Sequence, residues 1–415
     1  MTRSAAIGAR RWVCTTLGAV TCAAWIGVVT AQNAPAEPPF GSPASFRLDK
    51  KALRGQGASA ALFEKVGADS FRYFRLLAPQ FAARTCMEFN DLRWRIPSVA
   101  VHGDAHIEQF VATDRSYGLE DFDKAGFGPA VVDLVRYASS IHIACRNAKW
   151  SCDRNQAVNA YFDAYQAALD HRVDRVEPAI VRRLRASVPQ DQHGWLEWAE
   201  ALMRPLAAND EAKFRLGWER FVQLMKETRP DRPEAFYRIA RAGRVDIGVG
   251  SALETKTLIR IAGATDAPDD DEILEARITA TPTGLECVWR PANGGSLHVL
   301  MFTAVLGPRL PDVFGFLPRE GAREAPELWI QSWDRGYREL STSDLDSQTD
   351  LNALSVDAAV QLGGHFWTTF PEPLRGHQRF AQLRAFEMTH ERARRLAREF
   401  ADETVAEWER FRNDK

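Results

Sequence analysis

Hydrophobic patterning changes character several times along the chain. The first 31 residues place a charge-free run, Trp12 to Ala31, behind the cations Arg3, Arg10 and Arg11. Residues 32–45 carry Pro35, Pro38, Pro39 and Pro43 without periodicity, the composition of a flexible leader. From residue 46 to about 93, apolar positions recur every three or four residues (LFEKVGADSFRYFRLLAPQFAARTCMEF), which predicts helix. The valine-rich run IPSVAVHGDAH is too short for a helix. LEDFDKAG follows a turn at residues 115–118, and the two runs predict a hairpin or two short strands bracketing a loop. Residues 130–149 and 155–239 return to helical spacing, with breaks near Pro189 and Pro230.

The pattern then becomes strand-like. Residues 244–261 (RVDIGVGSALETKTLIRI) are rich in Val, Ile and Thr with glycines near the start, as expected of strand, tight loop, strand. The acidic stretch ATDAPDDDE, residues 264–272, predicts a hairpin tip, with ILEARITA and LECVWRP continuing the strands. Residues 355–415 are helical and end in a long charged amphipathic helix. The fold class expected is α+β. The expected division is 1–31 signal peptide, 32–45 leader, 46–243 helical lobe, 244–345 β-rich lobe, and 346–415 a helical segment packing on the body.

The N-terminal 31 residues read as a cleavable signal, because Val29-Thr30-Ala31 offers small residues at a cleavage position. An uncleaved anchor is the alternative, since about 20 apolar residues span a bilayer. Gly, Thr and Ala keep this run only mildly hydrophobic, which favours cleavage and a periplasmic or secreted protein. No other stretch is long and apolar enough to be a span. Losing three arginines takes the formal charge from −2 to −5. That acidity argues against nucleic acid as a partner, because binding it requires a basic face. Cys86, Cys145, Cys152 and Cys287 remain, and Cys145 and Cys152 are close enough for a local disulfide; four free thiols is the other reading.

The chemistry concentrates in two runs. VHGDAHIEQF (101–110) sets His102, Asp104 and His106 at alternate positions, which on a strand would share a face. EDFDKAGFGPAVVDLVR (120–136) adds Glu120, Asp121, Asp123 and Asp133. Acids on short apolar strands are costly to bury unless a cation or hydrogen-bond donors accompany them. A divalent metal with a polyanionic ligand accounts for them; hydrogen-bonded structural acids are the alternative.

HGDxH, then an Asp-Phe pair, then Gly-Pro-x-x-x-Asp-Leu, resembles the core of aminoglycoside phosphotransferases and other kinase-like enzymes. GDAHIEQF, DFDKAGFGPAVVDLVR, GVGS and YREL, in this order, resemble most a bacterial family, the domain of unknown function 2252. The likeness runs from about residue 60 to the C-terminus. It implies a protein-kinase-like fold, circularly permuted because the glycine-rich IGVGS (247–251) follows the catalytic-loop motif, with a largely helical body and a smaller β-rich lobe. In that frame Asp104 orients or deprotonates an acceptor hydroxyl, His106 braces its loop, and Asp133 anchors the loop from its helix. Asp121 binds the metal bridging nucleotide phosphates, with Asp123 as a second acidic neighbour. Gly248, Gly250 and Ser251 cover the phosphates. The implied cofactors are Mg²⁺ or Mn²⁺ with ATP or another nucleotide.

Departures from the pattern temper the enzymatic reading. Gln109 stands where a metal-binding Asn is expected. Arg277 stands where a phosphate-binding Lys is expected, followed by Ile278 where the family tends to have Glu; Lys256 is a substitute whose direction the sequence leaves open. ATP is also scarce outside the cytoplasm. Three functions therefore stay open: an exported metal- and phosphate-binding phosphotransferase, a binding or scaffold protein of the cell envelope that has lost the chemistry, and a metal-dependent hydrolase using His102, Asp104 and His106. Among other candidates, Arg72 or Arg75 can reach an anion, Arg338 and Glu339 form a structural ion pair, and His365 packs in the core.

Overall fold

The computed structural model describes residues 45–55, 60–245, 256–279, 285–289, 295–317, 327–365, 367 and 371–414. The signal and all but the last residue of the leader therefore lie outside the described residues, as do Gly248, Gly250 and Ser251. Among the described residues no helix is long and apolar enough to cross a membrane.

The strands are β1 (Ser98–Val101), β2 (Phe110–Ala112), β3 (Tyr117–Leu119), β4 (Gly126–Pro129), β5 (Ile239–Val245), β6 (Lys256–Ile261), β7 (Glu272–Thr279), β8 (Phe314–Leu317), β9 (Glu327–Trp333) and β10 (Arg338–Glu339). β1 pairs antiparallel with β4, β10-β2-β3 form a second small sheet, and β5-β6-β7-β9-β8 form an antiparallel five-stranded sheet. The architecture is mixed α+β.

Helices supply the remainder. Val131–Asn147 begins just after Gly128 and Pro129, which end β4, and carries Asp133 in its first turn, where a carboxylate suits the helix dipole. All of its residues from Val131 to Ala144 are buried. Glu372–Asn413 packs along it, and Ser139 Oγ donates to the Ala397 carbonyl at 3.0 Å. Helix Arg154–Asp170 packs on Gln348–Gly364. One apolar core joins these helices to the short segments of residues 60–88.

Period-two alternation sorts the two faces of the large sheet. Ile259, Ile261, Leu274, Ala276 and Ile330 face helix Ala208–Thr228 through Phe221 and Trp218. On the other face Leu258, Ile273 and Trp333 meet Trp195 and Leu196 of helix Gln192–Ala201. Trp329, also on that face, packs with Phe302 of helix Gly295–Leu306 and with Phe122. The acidic stretch forms the β6–β7 turn, as expected, closed by Asp270, whose carboxylate accepts from Ala264 N, Thr265 N and Thr265 Oγ1.

Three local expectations need correction. The strand containing the histidines ends at Val101, so His102, Asp104 and His106 lie on a loop. LEDFDKAG is mostly loop and a short 3-10 turn, Phe122–Lys124, because its acids turn toward a cleft rather than alternate across a sheet. LECVWRP does not extend the large sheet: residues 285–289 lie against β4, where Phe127 and Trp289 exchange backbone hydrogen bonds of 2.9 and 2.7 Å.

Cys145 and Cys152 are joined in a disulfide. A second bond, Cys86–Cys287, ties helix Ala78–Glu88 to that segment across 201 residues of chain. Closing so long a loop restricts the unfolded chain strongly. Peptide mapping without reductant should recover Cys86 joined to Cys287, and Cys86→Ser should lower unfolding free energy by about 2–5 kcal/mol in a denaturant titration.

Candidate functional site

One helix face holds the loop bearing Asp104. Asp133 takes two backbone donors, His102 N at 2.7 Å on Oδ2 and Gly103 N at 2.8 Å on Oδ1. Three residues on, Arg136 donates from Nε to Asp104 Oδ1 at 2.9 Å, and its Nη2 lies 2.8 Å from the same oxygen in an ion pair. Four further on, Ser140 Oγ accepts from Ile107 N at 3.2 Å. Spacings of three and four keep these side chains on one stripe of the helix.

Arg136 is almost wholly buried at 1 % exposure, stacked on Phe74 at 3.6 Å and donating to the Phe74 carbonyl. It was not among the sequence candidates, because an arginine inside an apolar helix run carries no motif of its own; only the i, i+3 relation to Asp133 hinted at it. At His106 the carbonyl, not the ring, bonds within the loop, accepting from Gln109 N at 3.0 Å. The ring rests edge-on against Phe71 and Phe74, Nδ1 has no hydrogen-bond partner, and burial holds its pKa well below the ordinary histidine value.

The Asp121 loop is laced to the Asp104 loop. His102 Nε2 faces the Glu120 carbonyl at 2.9 Å, where it must donate, and Glu120 N donates to the Gln109 carbonyl at 2.9 Å. Gly103 (φ 79°) lets the loops touch: a Cβ there would lie 2.2 Å from the Lys124 carbonyl oxygen. Asp121 itself sits in the left-handed region at φ 66°, ψ 59°. Such strain in a non-glycine residue persists only where surrounding contacts hold it, commonly at functional sites.

The sheet closes the other side. Lys256 and Arg277 are direct cross-strand partners and so point the same way, which answers the question of Lys256's direction. Arg277 Nη1 donates to Asp121 Oδ1 at 2.9 Å and its Nε bonds Glu275 Oε1. Glu275, at 1 % exposure, also accepts from Trp333 Nε1 at 3.0 Å and lies 3.9 Å from Lys256 Nζ. Sequence reasoning missed Glu275; its signal is a charged pair, Glu-x-Arg, on one face of a strand.

Asp104, His106, Gln109, Asp121, Asp123, Lys256 and Arg277 all line one cleft of about 230 Å³, with Arg75, Glu120, Lys124 and Tyr337. Asp123 is paired with Lys124 at 2.5 Å. Arg75 bonds Glu108 at 3.2 Å, whereas Arg72 is exposed. The Arg338–Glu339 pair does not form: Arg338 reaches Asp344, and the Glu339 carboxylate accepts from Tyr337 at 3.2 Å. His365 is buried with Nδ1 facing the Leu362 carbonyl at 2.7 Å.

Among the described residues no group of three or more His, Cys, Asp or Glu side chains is arranged to hold a metal ion. The His102/Asp104/His106 array does not assemble, because the first ring turns to Glu120 and the last to the Phe71 and Phe74 rings. What the cleft does offer is the partly exposed carboxylates of Asp121 and Asp123 and the Gln109 amide, all oxygen donors. That set suits a hard cation that takes its other ligands from water and phosphate.

Residues 59–215 match the profile of a family described as "Uncharacterized protein conserved in bacteria (DUF2252)". The matched stretch holds both laced loops and the helix that grips them; Lys256, Glu275 and Arg277 lie beyond it. No curated protein and no solved structure matches the chain.

Charge in the cleft is finely set. Burial would raise the Asp121 carboxyl, but Arg277, then Lys256 and Lys124, outweigh it and bring it below the usual carboxylate range. Asp104 is raised, burial outweighing the help of Arg136. Burial, then Asp121 and Asp334, push Glu120 up to about 8.

Two outcomes follow. Arg136→Met leaves a buried carboxylate uncompensated and should cost about 3–5 kcal/mol in unfolding free energy, with part recovered by adding Asp104→Asn. Folded Glu120 keeps its proton between about 4.5 and about 8, where the unfolded chain has lost it, so its contribution to stability falls as pH rises through that window. Glu120→Gln should therefore gain several kcal/mol, up to about 5, over wild type at pH 9 and nothing near pH 4.5, read from denaturant titrations at both.

Proposed function

We propose that this is an exported kinase-like protein whose cleft binds a divalent cation with a nucleotide or other phosphorylated small molecule and passes a phosphoryl group to a small-molecule hydroxyl. The observation carrying this reading is that two laced loops and a sheet direct Asp104, Gln109 and Asp121 on one side, and Lys256 and Arg277 on the other, into one cleft. The sheet supports it as well: β5 and β6 flank the glycine-bearing residues 246–255, and Arg277 sits on the third strand, where kinases carry their phosphate-binding lysine. The N-terminal signal pattern and two disulfides support export to an oxidising compartment.

In this reading Asp104 keeps Oδ1 on Arg136 and presents Oδ2 to the acceptor hydroxyl, orienting it and accepting its proton. Asp121 and Gln109 would hold Mg²⁺ or Mn²⁺, which neutralises charge building on the phosphate oxygens. Lys256 and Arg277 bind those oxygens. Positioning and charge neutralisation are most of what phosphoryl transfer asks of a protein.

A second reading, a binding or scaffold protein of the cell envelope without chemistry, is favoured by two ties: Arg136 neutralises the would-be base, and Arg277 is already engaged by Asp121 and Glu275. One experiment separates them. The protein recovered from the periplasmic or secreted fraction should begin at Gln32, and Mg²⁺ or Mn²⁺ with ATP, GTP or ADP should raise its unfolding temperature. Ligand at about 100 times its dissociation constant adds roughly 2.7 kcal/mol, and Asp121→Ala should abolish the shift. A shift that is unaccompanied by phosphate release or transfer selects the binding reading; no shift with any nucleotide removes the nucleotide site.

A further inference from the structure

Arg277 does two jobs that conflict. Its Nη1 is bonded to Asp121, the carboxylate that would hold the cation, and its Nε to Glu275. Glu275 is fixed from its other oxygen by Trp333 Nε1. Lys256 stands directly across the ladder from Arg277, and like charges at facing positions destabilise a sheet unless anions accompany them. Two cations, Lys256 and Arg277, are thus balanced by two anions, Glu275 and Asp121. Lifting Asp121 out of this balance leaves an excess positive charge on the sheet wall.

We propose that the Arg277–Asp121 pair is a latch that makes the divalent cation and a polyphosphate bind the cleft together, each poorly without the other. The inference rests on the metal–phosphate reading above. A cation arriving alone meets a carboxylate that already carries a guanidinium, with Lys256 and Lys124 close enough to add repulsion. A polyphosphate arriving alone meets a guanidinium whose charge is neutralised by two carboxylates. When both enter, the cation replaces the guanidinium on Asp121 and phosphate oxygens replace the carboxylate on Nη1. Glu275, retained on Nε, keeps the Arg277 side chain aimed into the cleft throughout. Linkage makes the effect reciprocal: whatever one ligand does to the other's affinity is returned in equal measure.

The latch makes an unusual demand of mutants, because removing one ligand-binding residue must improve binding to the other. The test is calorimetric titration of purified protein with Mn²⁺ alone, with inorganic tripolyphosphate alone under chelator, and with the preformed 1:1 Mn²⁺–tripolyphosphate complex. Wild type should bind the complex at least tenfold more tightly than either component. Arg277→Met should bind Mn²⁺ alone about tenfold more tightly than wild type. Asp121→Asn should bind tripolyphosphate alone about tenfold more tightly, and this arm stands even where Arg277→Met fails to fold around Glu275. Wild type that binds the complex while neither variant gains would overturn the latch and leave the site reading intact. Wild type that binds none of the three would overturn the site reading itself.

Discussion

The structure depends on one helix face gripping one loop. Asp133, Arg136 and Ser140 of helix Val131–Asn147 bond to His102, Gly103, Asp104 and Ile107 in turn, so the loop has the rigidity of a buried helix. The second loop is then located by the first, through His102 on the Glu120 carbonyl and Gln109 on the Glu120 amide. A buried arginine and a buried aspartate are each expensive alone, and the bonds between them offset much of that cost. The arrangement therefore comes as a unit.

The sheet brings charge to this unit under a different constraint. A strand buried on both faces has no solvent side for polar residues, so Glu275 and Arg277 must satisfy each other and their neighbours. Glu275 serves Arg277, Trp333 and Lys256 together, and Arg277 reaches past it to Asp121. Phe122, next to Asp121, packs with Trp329 and Phe302, so apolar contact and ion pair arise from adjacent residues of one loop. The Cys86–Cys287 disulfide works nearby: its segment lies along β4, and Leu285 lies against Gly103.

Much of this was legible in the sequence. Helical spacing located the helices around residues 60–88, 131–147 and 372–413, because amphipathic periodicity is a local property. The acids of HGDAH and EDFDK stand out in the sequence because acids in apolar runs are costly to bury, and Asp104, Glu120, Asp121 and Asp123 line one cleft in the structure. Alternation misled at His102, Asp104 and His106, where the strand had already ended. Composition misled at LECVWRP, whose apolar residues are used against β4 instead of the sheet.

The sequence by itself determined the main helices, the strands on either side of the acidic turn and the two acidic motifs, and its family resemblance implied the anchoring carboxylate Asp133. Only the tertiary structure decided that Arg136 neutralises Asp104, that Lys256 faces Arg277, that Glu275 joins them, and that Cys86 meets Cys287. The reason is physical: periodicity and capping act over a few residues, whereas strand register and a buried ion pair are fixed by the packing of segments far apart in the chain. Arg277 and Asp121 are separated by 156 positions and 2.9 Å.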